Sequence, residues 1–418
     1  MTTAEERCEQ ALLRSRDPAV RSAMIMVTAE RARADAATSD HYRCARSDLD
    51  GVPITWKDVF DVEGTVTTAG SASRRAHPVA ARDSRLVRRG RDLGLVCVGK
   101  TNLSEFAFSG LGVNEHFGTP LNPNDAALVP GGSSAGAAVT VAAGVVPLAV
   151  GTDTSGSVRV PAAFCGCVGF RASKHRYGPH DFVPLSPTLD CVGILADTVE
   201  RVAALDRLLA VAPRNDIGHA QMRAVVPAGE WVDECATGVR QSFDAAVDVL
   251  RDNGFAIDTA PLTSLSEAQR LMDAHGTIVG ADAYANYGRI AAELSSATRR
   301  RLAQNAATST TVTAVRSGMT SLRRLFSAEL AGAVLLCPTV RHEPPRLDEV
   351  LGSNDRYDAR NASTLRTTMV TSYLGMCSIS LPLSGPDGRS TVGLMASLPH
   401  GEDDRLLAVA AAITERLG

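Results

Sequence analysis

Gly131-Gly132-Ser133-Ser134-Ala135-Gly136 and, further on, Gly151-Thr152-Asp153-Thr154-Ser155-Gly156-Ser157-Val158-Arg159-Val160-Pro161-Ala162 are the two stretches on which the reading of this chain turns. Between them lie an uncharged Ala/Val segment, Ala135 to Ala143, that reads as a tightly packed helix, and the apolar strand run Val146 to Val150. Two serine-bearing, glycine-rich turns thus flank one helix–strand unit, and each starts a helix. Backbone N–H groups from Thr154 to Ser157 would converge at the second turn, which suits the oxyanion of acyl transfer. Upstream, Gly51-Val52-Pro53-Ile54-Thr55-Trp56-Lys57-Asp58 reads as a strand that ends in a lysine. A serine nucleophile needs a base, and a lysine serves if a partly buried site lowers its pKa.

That lysine stands out against the composition. Lys57, Lys100 and Lys174 are the three lysines among 43 basic residues; the others are arginine. A base must be neutral for part of its cycle, which lysine can manage and arginine cannot.

Two other motifs compete. Gly94-Leu95-Val96-Cys97-Val98-Gly99-Lys100-Thr101 fits the phosphate-loop pattern. Its variable residues form a hydrophobic strand instead of a small-residue loop after one, so Lys100 reads as a supporting residue. Gly132-Ser133-Ser134-Ala135-Gly136 fits the nucleophile elbow of α/β-hydrolases with Ser134 as nucleophile. That motif needs a preceding strand, and here a Pro/Asn/Gly loop precedes it. It also needs a histidine, and His175, His180, His219, His275, His342 and His400 lack a distinctive context. A His-dependent esterase using Ser134 stays open as the rival.

Composition narrows the field. The 418 residues are 44% hydrophobic and 21% charged, enough for a large core. A net charge of -3 argues against nucleic acid or an anionic membrane as partner. The longest apolar run, Ala137 to Val150, is broken by Thr140, Gly144 and Pro147 and is too short to span a bilayer. Nine scattered cysteines and an opening Met1-Thr2-Thr3-Ala4-Glu5-Glu6 without a secretory signal point to reduced thiols in a cytoplasm, with no metal site.

The chain divides into a helical segment (1–50), with Pro18 starting a second helix, a compact α/β core (51–196), a mostly helical insertion or cap (197–330) and a return of strands (331–418). Strands separated by helices early and late predict one α/β unit, a mixed parallel and antiparallel central sheet with helices on both faces.

In combination and order, the motifs resemble the amidase signature family of Ser–cisSer–Lys serine amidases. The matching residues are Gly51-Val52-Pro53-Ile54 with Lys57-Asp58, Thr67-Thr68 with Gly70-Ser71, Gly99-Lys100-Thr101-Asn102 with Glu105-Phe106-Ala107, and Gly118-Thr119-Pro120 with Asn122-Pro123. Both serine turns and Pro184-Leu185-Ser186-Pro187 with Leu189-Asp190 also fit. The resemblance covers 51–196 strongly and weaker echoes run almost to the C-terminus. It implies the family's fold, no cofactor, Ser157 as nucleophile, Ser133 as relay after a cis peptide bond, and Lys57 as base. It also implies an oxyanion hole from Thr154, Ser155, Gly156 and Ser157, with Ser134, Asp153 and Arg159 in support; an Asp153–Arg159 pair is our inference. Phe106, Phe108, Asn114, His116 and Phe182 lie in segments expected to approach the substrate pocket. The expected partner is a small-molecule amide, and a homodimer is admitted. An amidotransferase A-type subunit, which releases ammonia for a partner, is the family's other reading.

Three departures bear on substrate and rate. Ser155 stands where relatives carry glycine, Arg171-Ala172-Ser173 where they carry Lys-Pro-Ser/Thr, and Met376-Cys377 where Pro-Ala is common. The side chain of Ser155 is expected to crowd the oxyanion loop.

Overall fold

The computed structural model describes residues 2–42, 44–211, 222–306, 308–385 and 391–418. Its centre is one 11-stranded sheet. The strands are β1 (Met24–Val27), β2 (Pro53–Lys57), β3 (Val96–Thr101), β4 (Leu148–Asp153), β5 (Val168–Arg171), β6 (Cys191–Ala196), β7 (Arg223–Pro227), β8 (Ala256–Ala260), β9 (Val334–Pro338), β10 (Cys377–Ser384) and β11 (Thr391–Leu398). Their spatial order is β1-β3-β2-β4-β6-β5-β10-β11-β9-β7-β8. β2 pairs parallel to β3 and β4, and β7 pairs parallel to β8 and β9; the other pairings are antiparallel. The sheet is mixed and flanked by helices, as the alternation of strand and helix signals predicts.

The strands nearest the serine turns are buried along their whole length, which fits their mainly apolar sequences ahead of the polar residues that end them. Since β2 and β4 run parallel, Lys57 and Asp153, the last residue of each, emerge at the same end of the sheet. The small-residue helix Ala135–Ala142 lies against them, and its Gly136 touches the backbone of Ala23 and Asn102 where a Cβ would not fit. A Cβ on Gly151 would come within 2.7 Å of Ser134 Oγ, so glycine there lets β4 and the first serine turn close together.

Two segments differ from expectation. Pro18 starts no helix; helix Ala4–Arg14 gives way to a turn, a single 3-10 turn and edge strand β1, and the next helix is Ala29–His41. The reason is tertiary: β1 pairs with β3, whose edge would otherwise lie open. The segment 197–330 is also more than a helical cap. It supplies β7 and β8, which extend the far edge of the sheet, before helices Thr263–His275, Ile278–Tyr287, Ser296–Gln304 and Thr308–Leu330 follow. Among the described residues no helix is long and apolar enough to cross a membrane.

Candidate active site

Lys57 closes β2 with its side chain fully buried, and its Nζ lies 2.8 Å from Ser133 Oγ. The same nitrogen is 2.9 Å from Thr152 Oγ1 and 3.4 Å from the Thr152 carbonyl oxygen. Its direct polar contacts are therefore neutral oxygens. Burial pushes the Lys57 pKa down to about 7, against the upward pull of the Asp153 and Asp190 carboxylates.

The two serine turns are joined through their backbones. Ser134 N–H donates to the Ser157 carbonyl at 3.0 Å, and the Gly132–Ser133 peptide bond is cis. Ser133, Ser134 and Ser157 are all buried. Ser134 Oγ donates to the Thr152 carbonyl at 3.3 Å and so is turned toward backbone. His342 contacts the Glu343 carbonyl and Thr364, and His400 the Lys174 carbonyl, while the His175 and His180 rings pack at a tilt with centroids 5.1 Å apart. None of these contacts involves Ser134 or Ser157. His219 lies outside the described residues.

Asp153 organises the second turn. Its Oδ1 accepts from Gly156 N–H at 2.8 Å and its Oδ2 from Val158 N–H at 3.1 Å. Arg159 approaches the same carboxylate with Nε at 3.0 Å and Nη2 at 2.9 Å, and Arg171 Nε lies 3.3 Å from Oδ1. Burial alone would raise the Asp153 pKa, but the two guanidiniums and the backbone N–H groups hold it well below the usual carboxylate range. Arg159 is itself fixed by Thr371, Ser372 and the Thr368 carbonyl on helix Asn354–Tyr373.

The second serine turn offers fewer free N–H groups than expected of an oxyanion hole. Gly156 N–H is already given to Asp153, so it does not face an incoming oxygen. The N–H groups of Thr154, Ser155 and Ser157 have no acceptor among the described residues. Gly156 has φ +127°, and a Cβ there would collide with Thr368 Oγ1, which donates instead to the Ser155 carbonyl at 2.6 Å. Ser155 is not in the left-handed region, so its side chain carries no backbone strain; it lines the pocket instead of blocking the turn.

That pocket has a volume of about 220 Å³ and is walled by Ser155 and Ser157 on one side. Of the five expected pocket residues, Phe108 lines it. Phe106 is buried and stacks on Tyr287 at 4.2 Å, and Phe182 packs edge-on against Phe60 at 5.3 Å. Asn114 is spent on backbone, donating to the Gly70 and Leu103 carbonyls and accepting from the N–H groups of His116 and Phe117. His116 Nε2 lies 3.0 Å from Glu105 Oε1, and Glu105 Oε2 in turn accepts from Ser295 N–H and Oγ. The opposite wall comes from later helices, with Thr277, Arg301, Asn305, Asn361 and Met369 among its residues.

Lys100 takes no part in this pocket. It forms a buried ion pair with Asp58 at 2.5 Å and donates to Thr67 Oγ1 at 2.8 Å. Lys174 donates to the carbonyls of Pro187 and Thr188, tying down the loop that ends in Asp190. Asp190 receives Thr154 Oγ1 at 2.6 Å and the N–H groups of Leu185 and Ser186; burial raises its pKa to about 6.

Comparison with known proteins places this architecture. The Amidase family model matches residues 13–407. The 2-amino-5-chloromuconic acid deaminase of Comamonas testosteroni is 34% identical, covering 93% of this chain and 87% of its own. The indoleacetamide hydrolase of Pseudomonas savastanoi is 31% identical, covering 88% and 84%. Among solved structures, an amidase superimposes with a TM-score of 0.86 at 28% identity over 100% of this chain and 97% of its own. With its fold, its paired serine turns and these relatives in view, the chain belongs to the amidase signature family and is an amidohydrolase acting on C–N amide bonds.

Proposed function

We propose that this enzyme hydrolyses a small carboxamide through an acyl-enzyme on Ser157, with Ser133 as proton relay and Lys57 as base. The observation that carries this reading is the 2.8 Å approach of a buried lysine, its pKa lowered to about 7, to Ser133. Neutral Lys57 has two N–H donors and one lone pair. With the donors directed at the two oxygens of Thr152, the lone pair is left for the Ser133 hydroxyl proton.

Lys57 takes the Ser133 proton while Ser133 takes the Ser157 proton, and Ser157 Oγ bonds to the amide carbon. Negative charge forms on the former carbonyl oxygen and is met by the N–H groups of Thr154, Ser155 and Ser157. The C–N bond then breaks as the relay returns a proton to the departing nitrogen. Water attacks the ester and gives a proton to the same relay, which returns it to Ser157 Oγ as the Ser157–acyl bond breaks and the acid leaves.

The pocket size supports a small acyl group. The deaminase and the indoleacetamide hydrolase are named for two different small molecules, 2-amino-5-chloromuconic acid and indoleacetamide. The amidotransferase reading has weaker support, because the glutamyl-tRNA(Gln) amidotransferase component of Cupriavidus necator aligns over 56% of this chain and 46% of its own. A panel of primary amides, anilides, ureas, hydrazides and esters tests the reading, with released amine measured for wild type, Ser157→Ala and Lys57→Ala. Both variants should lose nearly all turnover, and a fluorophosphonate should label Ser157. Full activity in Lys57→Ala would overturn it.

A further inference from the structure

Arg301 sits in the wall of the pocket that holds Ser157, on helix Ser296–Gln304. It is 6% exposed, and its Nε and Nη1 are buried with no hydrogen-bond partner. Among the described residues its guanidinium makes no ion pair either. It is held instead between two rings, 5.3 Å from the centroid of Phe108 and 5.3 Å from that of Tyr357. Aromatic faces orient a guanidinium but leave its N–H fork free to point along its own plane.

The nearby carboxylates are hydrogen-bonded elsewhere, although Asp358 lines the same pocket and feels the charge of Arg301. Asp358 receives Arg300 at 2.7 and 3.0 Å and Gln304 at 3.0 Å. Glu105 receives Ser71, His116 and Ser295. A second donor faces the same space. Asn361 lines the pocket, and its Oδ1 already accepts Gly110 N–H at 2.7 Å and Ser109 Oγ at 3.0 Å, which leaves its NH2 group as the free end.

A buried, unpaired guanidinium is costly unless something binds it, and its planar fork matches a carboxylate. We propose that Arg301, assisted by Asn361, anchors a carboxylate on the substrate, so that the preferred substrates are short amides carrying a free carboxylate. This inference rests on the acyl-enzyme reading at Ser157 for the reaction, but not for the binding.

The test compares glutaramate, with its carboxylate on the acyl side, N-acetyl-β-alanine, with its carboxylate on the amine side, and neutral pentanamide. Wild type should favour one carboxylate-bearing amide, and which one tells the end of the pocket Arg301 serves. Arg301→Met should lower kcat/KM for that substrate by about 100-fold and leave pentanamide within about 3-fold, as expected for loss of a buried charge-assisted contact. Arg301→Lys should fall between, since it keeps the charge but loses the fork. Equal losses on charged and neutral amides, or a wild type indifferent to the carboxylate, would overturn the proposal. Binding is read separately by thermal unfolding with glutarate. Glutarate should raise the midpoint of wild type and of Ser157→Ala but not of Arg301→Met; no rise in wild type counts against the anchor. Activity that survives Ser157→Ala would sink the acyl-enzyme reading while leaving this binding result intact.

Discussion

Nζ of Lys57 and Oγ of Ser133 are 2.8 Å apart and both side chains are wholly buried. Burial favours the neutral amine, with a pKa of about 7. In the proposed mechanism the neutral form is the base, so kcat/KM should rise about tenfold per pH unit below pH 7 and level off above it. A pH–rate profile checks this; a flat profile between about pH 5.5 and 8 would contradict it.

The same lysine should weaken the fold. Its folded pKa lies below the unfolded value, so the unfolded chain holds the extra proton between about pH 7 and 10.5 and stability rises with pH there. Below about pH 7 the lysine is charged in both states and the burial cost is at its maximum. Lys57→Met should therefore be inactive yet more resistant to urea than wild type, with the gain larger at pH 6 than at pH 9.5. A gain that grows with pH would show the sign to be wrong.

In the proposed mechanism Thr152 positions the base. Thr152→Val removes the Oγ1 acceptor 2.9 Å from Nζ, which favours the charged amine more than the neutral one. The acid limb of the rate profile should move to lower pH, and the plateau should fall by about tenfold as the lone pair loses its aim. A lower plateau with an unmoved limb would point to packing alone.

Asp153 neutralises two buried arginines, Arg159 and Arg171. Asp153→Asn should destabilise by about 3–5 kcal/mol, because it strands buried positive charge. Its carboxyl titrates below its unfolded value, so this contribution holds above about pH 4 and fades as pH falls toward the folded pKa. Urea unfolding at pH 7 is the measurement; a loss under about 1 kcal/mol would be too small for this pair.

Gly156 offers a steric test. Its φ of +127° and its contact with Thr368 leave no room for a Cβ. Gly156→Ala should cost at least about 1–3 kcal/mol in stability and slow fluorophosphonate labelling of Ser157. Labelling at the wild-type rate would mean that the turn tolerates rearrangement.

Why some of this was legible in sequence and some not has a physical basis. Ser133 and Ser157 sit in turns whose glycines and serines must be local neighbours, and Lys57 ends a short strand, so short motifs carry all three. The supporting Asp153–Arg159 pair is also local, one turn of chain apart. Arg171 was hidden because its partner is reached only by strand pairing through β6. Arg301 was hidden for another reason. It ends the run Arg299-Arg300-Arg301, and composition cannot tell which arginine of a helix faces inward; Arg300 turns to Asp358 while Arg301 turns to the pocket. Asn114 and His116 lie close in sequence to Phe108, yet they brace the scaffold behind the pocket wall. Edge strand β8, Ala-Ile-Asp-Thr-Ala, is half exposed and lacks the apolar run that marked β2 and β4.

The bond from Ser295 to Glu105 joins residues 190 positions apart. It ties the start of the Arg301 helix to Glu105 in the 51–196 core. On the proposed reading, the two ends of a bound substrate are then gripped by parts of the chain that share one mechanical frame. Grafting that helix from a relative to change selectivity should succeed only when the Glu105–Ser295 tether travels with it. Cutting the tether should blur discrimination between substrates before it slows the chemistry.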